Sequence, residues 1–108
     1  MRKVIIHIDE QEKWSLLLSN VKNLKKEDVQ FEIEVVVNGP AIKGYLDPEI
    51  VEKVELFMQQ AILFVACNHS MESQRIKKEQ LNPAIKIVPS GILEVIDQQL
   101  AGAAYVKP

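Results

Sequence analysis

Short apolar runs alternate along this chain with longer stretches whose apolar residues recur at helical spacing, and few folds accommodate that order. Lys3 to Ile8 (KVIIHI) is too short for a helix and lacks clean in-out alternation, so it reads as a strand covered on both faces. Beyond Asp9-Glu10-Gln11, residues Trp14, Leu17, Leu18, Val21 and Leu24 form one apolar stripe, with Lys13, Ser15, Asn20, Lys22 and Lys26 on the opposite face. Phe31 to Val37 (FEIEVVV) predicts a second strand, ended by Asn38-Gly39-Pro40. Asp47-Pro48-Glu49 marks a helix start: an N-cap acceptor, a proline at the first helical position and a carboxylate in the first turn. Ile50, Val51, Val54, Phe57, Met58 and Ala61 carry its apolar stripe.

Ile62 to Ala66 (ILFVA) is wholly apolar and is expected as a third strand at the centre of the sheet. Cys67-Asn68-His69-Ser70 follows, then a short polar helix to about Lys78, whose Arg75, Lys77 and Lys78 read as a solvated face. Lys86 to Val88 predicts a fourth strand. Pro89-Ser90-Gly91 then opens a helix bearing Ile92, Leu93, Val95, Ile96 and Leu100, with Ser90 as N-cap and Gly102 as terminator. Ala103 to Lys107 (AAYVK) predicts a fifth strand. Strands alternating with helices imply right-handed crossovers. The expected architecture is therefore an α/β fold, a three-layer α/β/α sandwich around a mostly parallel five-stranded sheet.

The 108 residues suit one domain spanning 1–108, large enough to hold a core without a metal or disulfide staple. Thirteen basic against fifteen acidic residues give a net charge of −2, which argues against nucleic acid as a partner. No apolar run approaches the roughly 20 residues of a membrane span, and the stretch after Met1-Arg2-Lys3 is too short for a signal peptide. A single cysteine excludes an internal disulfide and points to a reducing compartment, so a cytoplasmic protein is expected.

In an open parallel sheet, ligands bind beyond the carboxyl ends of the strands. That rule selects Asp9-Glu10-Gln11, Asn38-Gly39-Pro40, Cys67-Asn68-His69-Ser70, Pro89-Ser90-Gly91 and the tail at Lys107. Cys67 ends the most apolar strand and precedes a predicted helix, where backbone N–H groups favour the thiolate; a protonated His69 would add to this. The competing reading is an inert buried thiol. The functional reading places the sulfur at the rim of a loop-lined hollow. His7 reads either as a buried, satisfied histidine or as a base reaching Cys67, if strands one and three lie close together. Asn38 is a turn residue or a donor to a ligand above the sheet, and Gly91 suits an anion site or tight packing.

His7, His69 and Cys67 lack zinc spacing, so no metal is expected. Asn38-Gly39-Pro40-Ala41 has neither a dinucleotide fingerprint nor a P-loop ending, and no cofactor is expected. Trp14 reads as core or interface wall rather than a stacking platform. No Ser-His-Asp order, nucleophile elbow or paired-carboxylate signature is present.

Taken in order, KVIIHI, then KW and NVKNL, EVVVNGPAIKGYL, FVACNHSM and IVPSGILEVIDQQLAGAAYVKP resemble the DsrE/DsrF-like family of small α/β proteins, over nearly the full length. The resemblance implies a parallel five-stranded sheet and a homo-oligomer, a trimer or a hexamer of stacked trimers. It also implies that Cys67 carries persulfide sulfur in a relay with a sulfur-donor or sulfur-acceptor protein. Asn68 and Ser70 would shape the cysteine loop, and His7 and Asn38 would be pocket neighbours, with His69, Ser90 and Gly91 beside them. Two alternatives stand beside sulfur transfer: an oligomer that binds a small ligand without catalysis, and a partner-regulating subunit. The short polar third helix is expected to leave one sheet face in need of a neighbour's cover.

Overall fold

The computed structural model describes residues 2–27 and 30–108. Strands β1 (Arg2–Ile8), β2 (Phe31–Val37), β3 (Leu63–Cys67), β4 (Lys86–Val88) and β5 (Ala104–Val106) form one sheet in the order β4-β3-β2-β1-β5. Every pairing is parallel. Helices α1 (Trp14–Lys26), α2 (Pro48–Met58), α3 (Asn68–Ser73) and α4 (Gly91–Leu100) connect the strands. The most apolar strand, β3, is interior but not central. β2 is central, and its last five residues are all buried.

The caps follow the sequence. Asp47 accepts from the Glu49 amide at 3.0 Å and Pro48 opens α2, while Ser90 accepts from the Leu93 amide at 3.1 Å at the start of α4. Gly102, at φ +104°, ends α4 in a backbone conformation that side chains resist. The third helix stops at Ser73, well short of Lys78. Arg75 adopts φ +57° there, and the basic cluster lies beyond the helix, exposed, as its charge requires. Residues Gly39–Leu46, which the apolar periodicity does not assign to a helix or strand, coil into 3-10 turns.

The two sheet faces are unequally covered. On one, Val4, Ile6, Ile8, Ile33, Val35, Val37, Phe64 and Ala66 pack beneath α1, α2, α3 and the 39–46 segment in the main core. Trp14 belongs to this core, edge-on to Tyr45, and donates to the Ala41 carbonyl at 2.8 Å. The segment comes close because residue 44 is glycine: a Cβ there would overlap the Trp14 ring. On the other face, Ile5, Val36, Val65 and Val88 form a smaller cluster with Val95 of α4 and Ala103, and Leu63 packs against it. The second helical layer is thus reduced to α4. The expectation that α3 leaves a face uncovered is corrected, because α3 seals its own face through Met71.

Candidate functional site

Successive side chains of a strand point to opposite faces. His7, Val36, Val65 and Cys67 therefore share the face beneath α4. Cys67 is both the last residue of β3 and the N-cap of α3. Its partner across the sheet is Val88, two residues before the Ser90 cap, so the start of α4 is carried directly over it. Glycine at 91 permits this approach. A Cβ there would stand 3.2 Å from the Cβ atoms of both Cys67 and Asn38 and 3.4 Å from Val36 Cγ1.

The thiol does not face an open hollow. Cys67 is 4% exposed, covered by the first turn of α4 rather than standing at a rim. Yet its surroundings are polar. Burial raises the thiol's pKa, but donors reverse the balance: the Ser70 hydroxyl and the backbone N–H groups of Gly91, Ser70 and His69 hold it below the ordinary cysteine value. Ser70 is itself fixed, since its Oγ accepts from the Gly39 amide at 2.7 Å and leaves its proton for the sulfur. Such an arrangement stabilises a thiolate before attack and again when the thiolate is a leaving group.

His7 is 5% exposed and hydrogen-bonded at both ring nitrogens. Nε2 lies 2.8 Å from Asn38 Oδ1, and Nδ1 lies 2.6 Å from the Tyr105 hydroxyl. In that pattern Nε2 carries the proton, and the phenol donates to Nδ1. β2 stands between β1 and β3, about 10 Å of sheet at the usual strand spacing. His7 therefore has no free nitrogen for Cys67 and is separated from it by a strand; the link between them runs through Asn38.

The other residues singled out in the sequence disperse. Asn68 donates to Glu72 Oε1 at 2.9 Å along α3 and lines a cleft of about 780 Å³ on the β4 edge, with Leu81, Pro83, Ile85 and Ile87. The His69 side chain is exposed, and only its amide serves the sulfur. The Ser90 hydroxyl is used as the α4 cap. Nothing in the sequence patterning singles out Tyr105 as a site residue. Its signal was its position on the predicted fifth strand, but only the β1–β5 register, Ile5 opposite Tyr105, brings it to His7. At the same end of the sheet, Lys107 pairs with Asp9 at 3.5 Å. Among the described residues, no three His, Cys, Asp or Glu side chains gather where they could hold a metal ion.

Fold and site together define an open, all-parallel α/β protein with a donor-surrounded cysteine at a strand end. Comparison with solved structures finds the same architecture elsewhere. A protein of unknown function from Methanobacterium thermoautotrophicum matches with a TM-score of 0.93 and 28% identity, each chain covered over 100%. The YchN protein of E. coli matches with a TM-score of 0.80 and 15% identity, again with 100% of both chains covered. A conserved protein of unknown function from Bacteroides thetaiotaomicron gives 0.75 and 15%, covering 98% of this chain and 94% of that one. The fold is therefore DsrE-like, of the kind seen in YchN. No family model matches the chain, and no curated protein matches it in sequence. No helix among the described residues is long and apolar enough to cross a membrane.

Proposed function

We propose that this protein carries sulfane sulfur as a persulfide on Cys67. The observation that supports this most is the convergence of three backbone amides and the Ser70 hydroxyl on the chain's only thiol, which lowers its pKa in spite of burial. In the loading step the thiolate attacks the sulfane sulfur of a donor. A sulfur–sulfur bond forms, and the donor's leaving group departs with the electron pair of the bond that breaks. In the unloading step an acceptor thiolate attacks the outer sulfur, and Cys67 leaves as a thiolate held by the same donors. No outside oxidant is needed. The acceptor is a protein or small-molecule thiol, and the chemistry suits a reducing compartment such as the cytoplasm. Intact mass after incubation with polysulfide tests the reading. It requires a gain of whole sulfur atoms in the native protein and none in Cys67→Ser, whereas no gain, or one that survives the substitution, overturns it.

The carrier is a homo-oligomer in this reading, a trimer or a hexamer. Ile92, Leu93, Ile96 and Leu100 of α4 are exposed although Gly91 and Val95 already face the sheet, so the helix carries a second, outward apolar patch of the kind that marks an interface. Light scattering is expected to return three or six times the chain mass. A strict monomer at micromolar concentration contradicts it. The deep placement of Cys67 favours one rival, a binding module without thiol chemistry. That rival predicts ligand-induced thermal shifts indifferent to Cys67→Ser.

A further inference from the structure

The Tyr105–His7–Asn38 chain is a costly thing to build if it serves packing alone. It takes a histidine out of water and satisfies both nitrogens with side chains 98 and 31 residues away in sequence. What it achieves is the orientation of one amide. The backbone of Asn38 is fixed at the end of β2, where its N–H donates to the Ile8 carbonyl at 3.1 Å. The proton on His7 Nε2 then dictates that Oδ1 turns toward β1, which leaves Nδ2 as the free end. Nδ2 has no partner among the described residues, and Asn38 is only half-buried. Its Cβ flanks the missing side chain of Gly91 at 3.2 Å, and so does the Cβ of Cys67. An amide oriented by a phenol and an imidazole is therefore carried on a Cβ that neighbours the first turn of α4 together with the Cβ of Cys67.

We infer that Asn38 is a specificity-determining residue of the Cys67 site, with Tyr105 and His7 its positioning residues, and that it selects sulfur donors bearing oxyanions, the thiosulfate class, over oxygen-free polysulfides. This rests on the persulfide reading of Cys67. Free amide protons reward an acceptor oxygen, and the groups facing the sulfur are donors, the Ser70 hydroxyl and the three backbone amides, with no carboxylate among them. Asp9, at the same strand ends, is neutralised by Lys107. In the reaction, the Cys67 thiolate attacks the sulfane sulfur of thiosulfate. The bond from that sulfur to the sulfonate sulfur breaks, and sulfite departs with the electron pair, leaving a persulfide anion with the total charge conserved. Asn38 Nδ2 donates to a sulfonate oxygen while charge gathers on that leaving group.

The test measures initial rates of sulfur loading by intact mass, with thiosulfate and with polysulfide as separate donors, in the native protein, Tyr105→Phe and Asn38→Asp. Both substitutions keep the side-chain shape, and taking the ratio of the two rates cancels any general damage to the fold. The thiosulfate-to-polysulfide ratio is expected to fall about tenfold in each variant, the ordinary effect of one lost hydrogen bond to a charged group. A ratio unchanged in both variants overturns the inference. So does a native protein that loads from polysulfide and not from thiosulfate, which leaves the persulfide reading standing. A native protein that loads from neither donor removes both.

Discussion

Glu34 provides a sharp physical test of how α4 is held to its sheet face. It lies on β2 in phase with Val36, is 1% exposed, and so places a carboxyl group between Ile5 and Leu63, its partners across the sheet. Lys3 Nζ stands 3.2 Å from Oε1, close enough for an ion pair, though the geometry falls short of a hydrogen bond. Burial lifts the Glu34 pKa from the ordinary 4.5 to about 7; a proton-sharing contact with Glu94 of α4 reinforces this, and Lys3 opposes it. Glu94 is held below its ordinary value, chiefly by the same contact, so the two carboxyls keep one proton between them. The folded chain thus binds a proton that the unfolded chain has already released between pH 4.5 and about 7. Stability must therefore be greater on the acid side of that window and decline as pH rises through it. From pH 5.5 to 8, about one and a half pH steps fall within the window, at about 1.4 kcal/mol each, which amounts to roughly 2 kcal/mol. Glu34→Gln keeps the shape and removes the titration. Urea unfolding at the two pH values is expected to show the native chain losing about 2 kcal/mol relative to the variant. Parallel pH dependence in the two proteins, or a native chain that gains on the variant at pH 8, would refute the shared proton.

Other substitutions probe the close approaches. Gly44→Ala drives a methyl into the Trp14 ring and loosens its hydrogen bond to Ala41, at a cost of about 3 kcal/mol, read by chemical unfolding and by altered Trp14 fluorescence. Gly91→Ala forces Cys67, Asn38 and Val36 apart by a few tenths of an ångström. It is expected to cost about 1 kcal/mol and, by drawing the Gly91 amide off the sulfur, to raise the thiol's ionisation midpoint. An unchanged midpoint in a folded Gly91→Ala protein would show that this amide does not serve the sulfur.

Much of this architecture is written in local signals. The spacing of Trp14, Leu17, Leu18 and Val21, the Asp47-Pro48-Glu49 and Ser90 caps and the apolar runs all act within a few residues, and the strands and helices they mark are present. What the sequence concealed depends on contacts between distant segments. Hydropathy ranks β3 above β2, but the sheet order puts β2 at the centre. The alternation that opens FEIEVVV groups Glu34 with the exposed Glu32; that Glu34 is instead buried, with Lys3 and Glu94 as companions, emerges only from strand register and the docking of α4. At the site, the strand-end rule located Cys67 and Asn38. It gave no hint that Gly91 would lie over the thiol, nor that Tyr105, near the end of the chain, would hold His7.

The ionisation of Cys67 bears most directly on this account, since everything proposed at the site begins with a stabilised thiolate. The chain has one cysteine, so ultraviolet absorbance of the thiolate against pH, with Cys67→Ser as the blank, reports it alone. The donors around the sulfur predict a midpoint below the ordinary cysteine value of 9.0. A midpoint at or above that value would mean that burial outweighs the donors and that the thiol is a filler of the core.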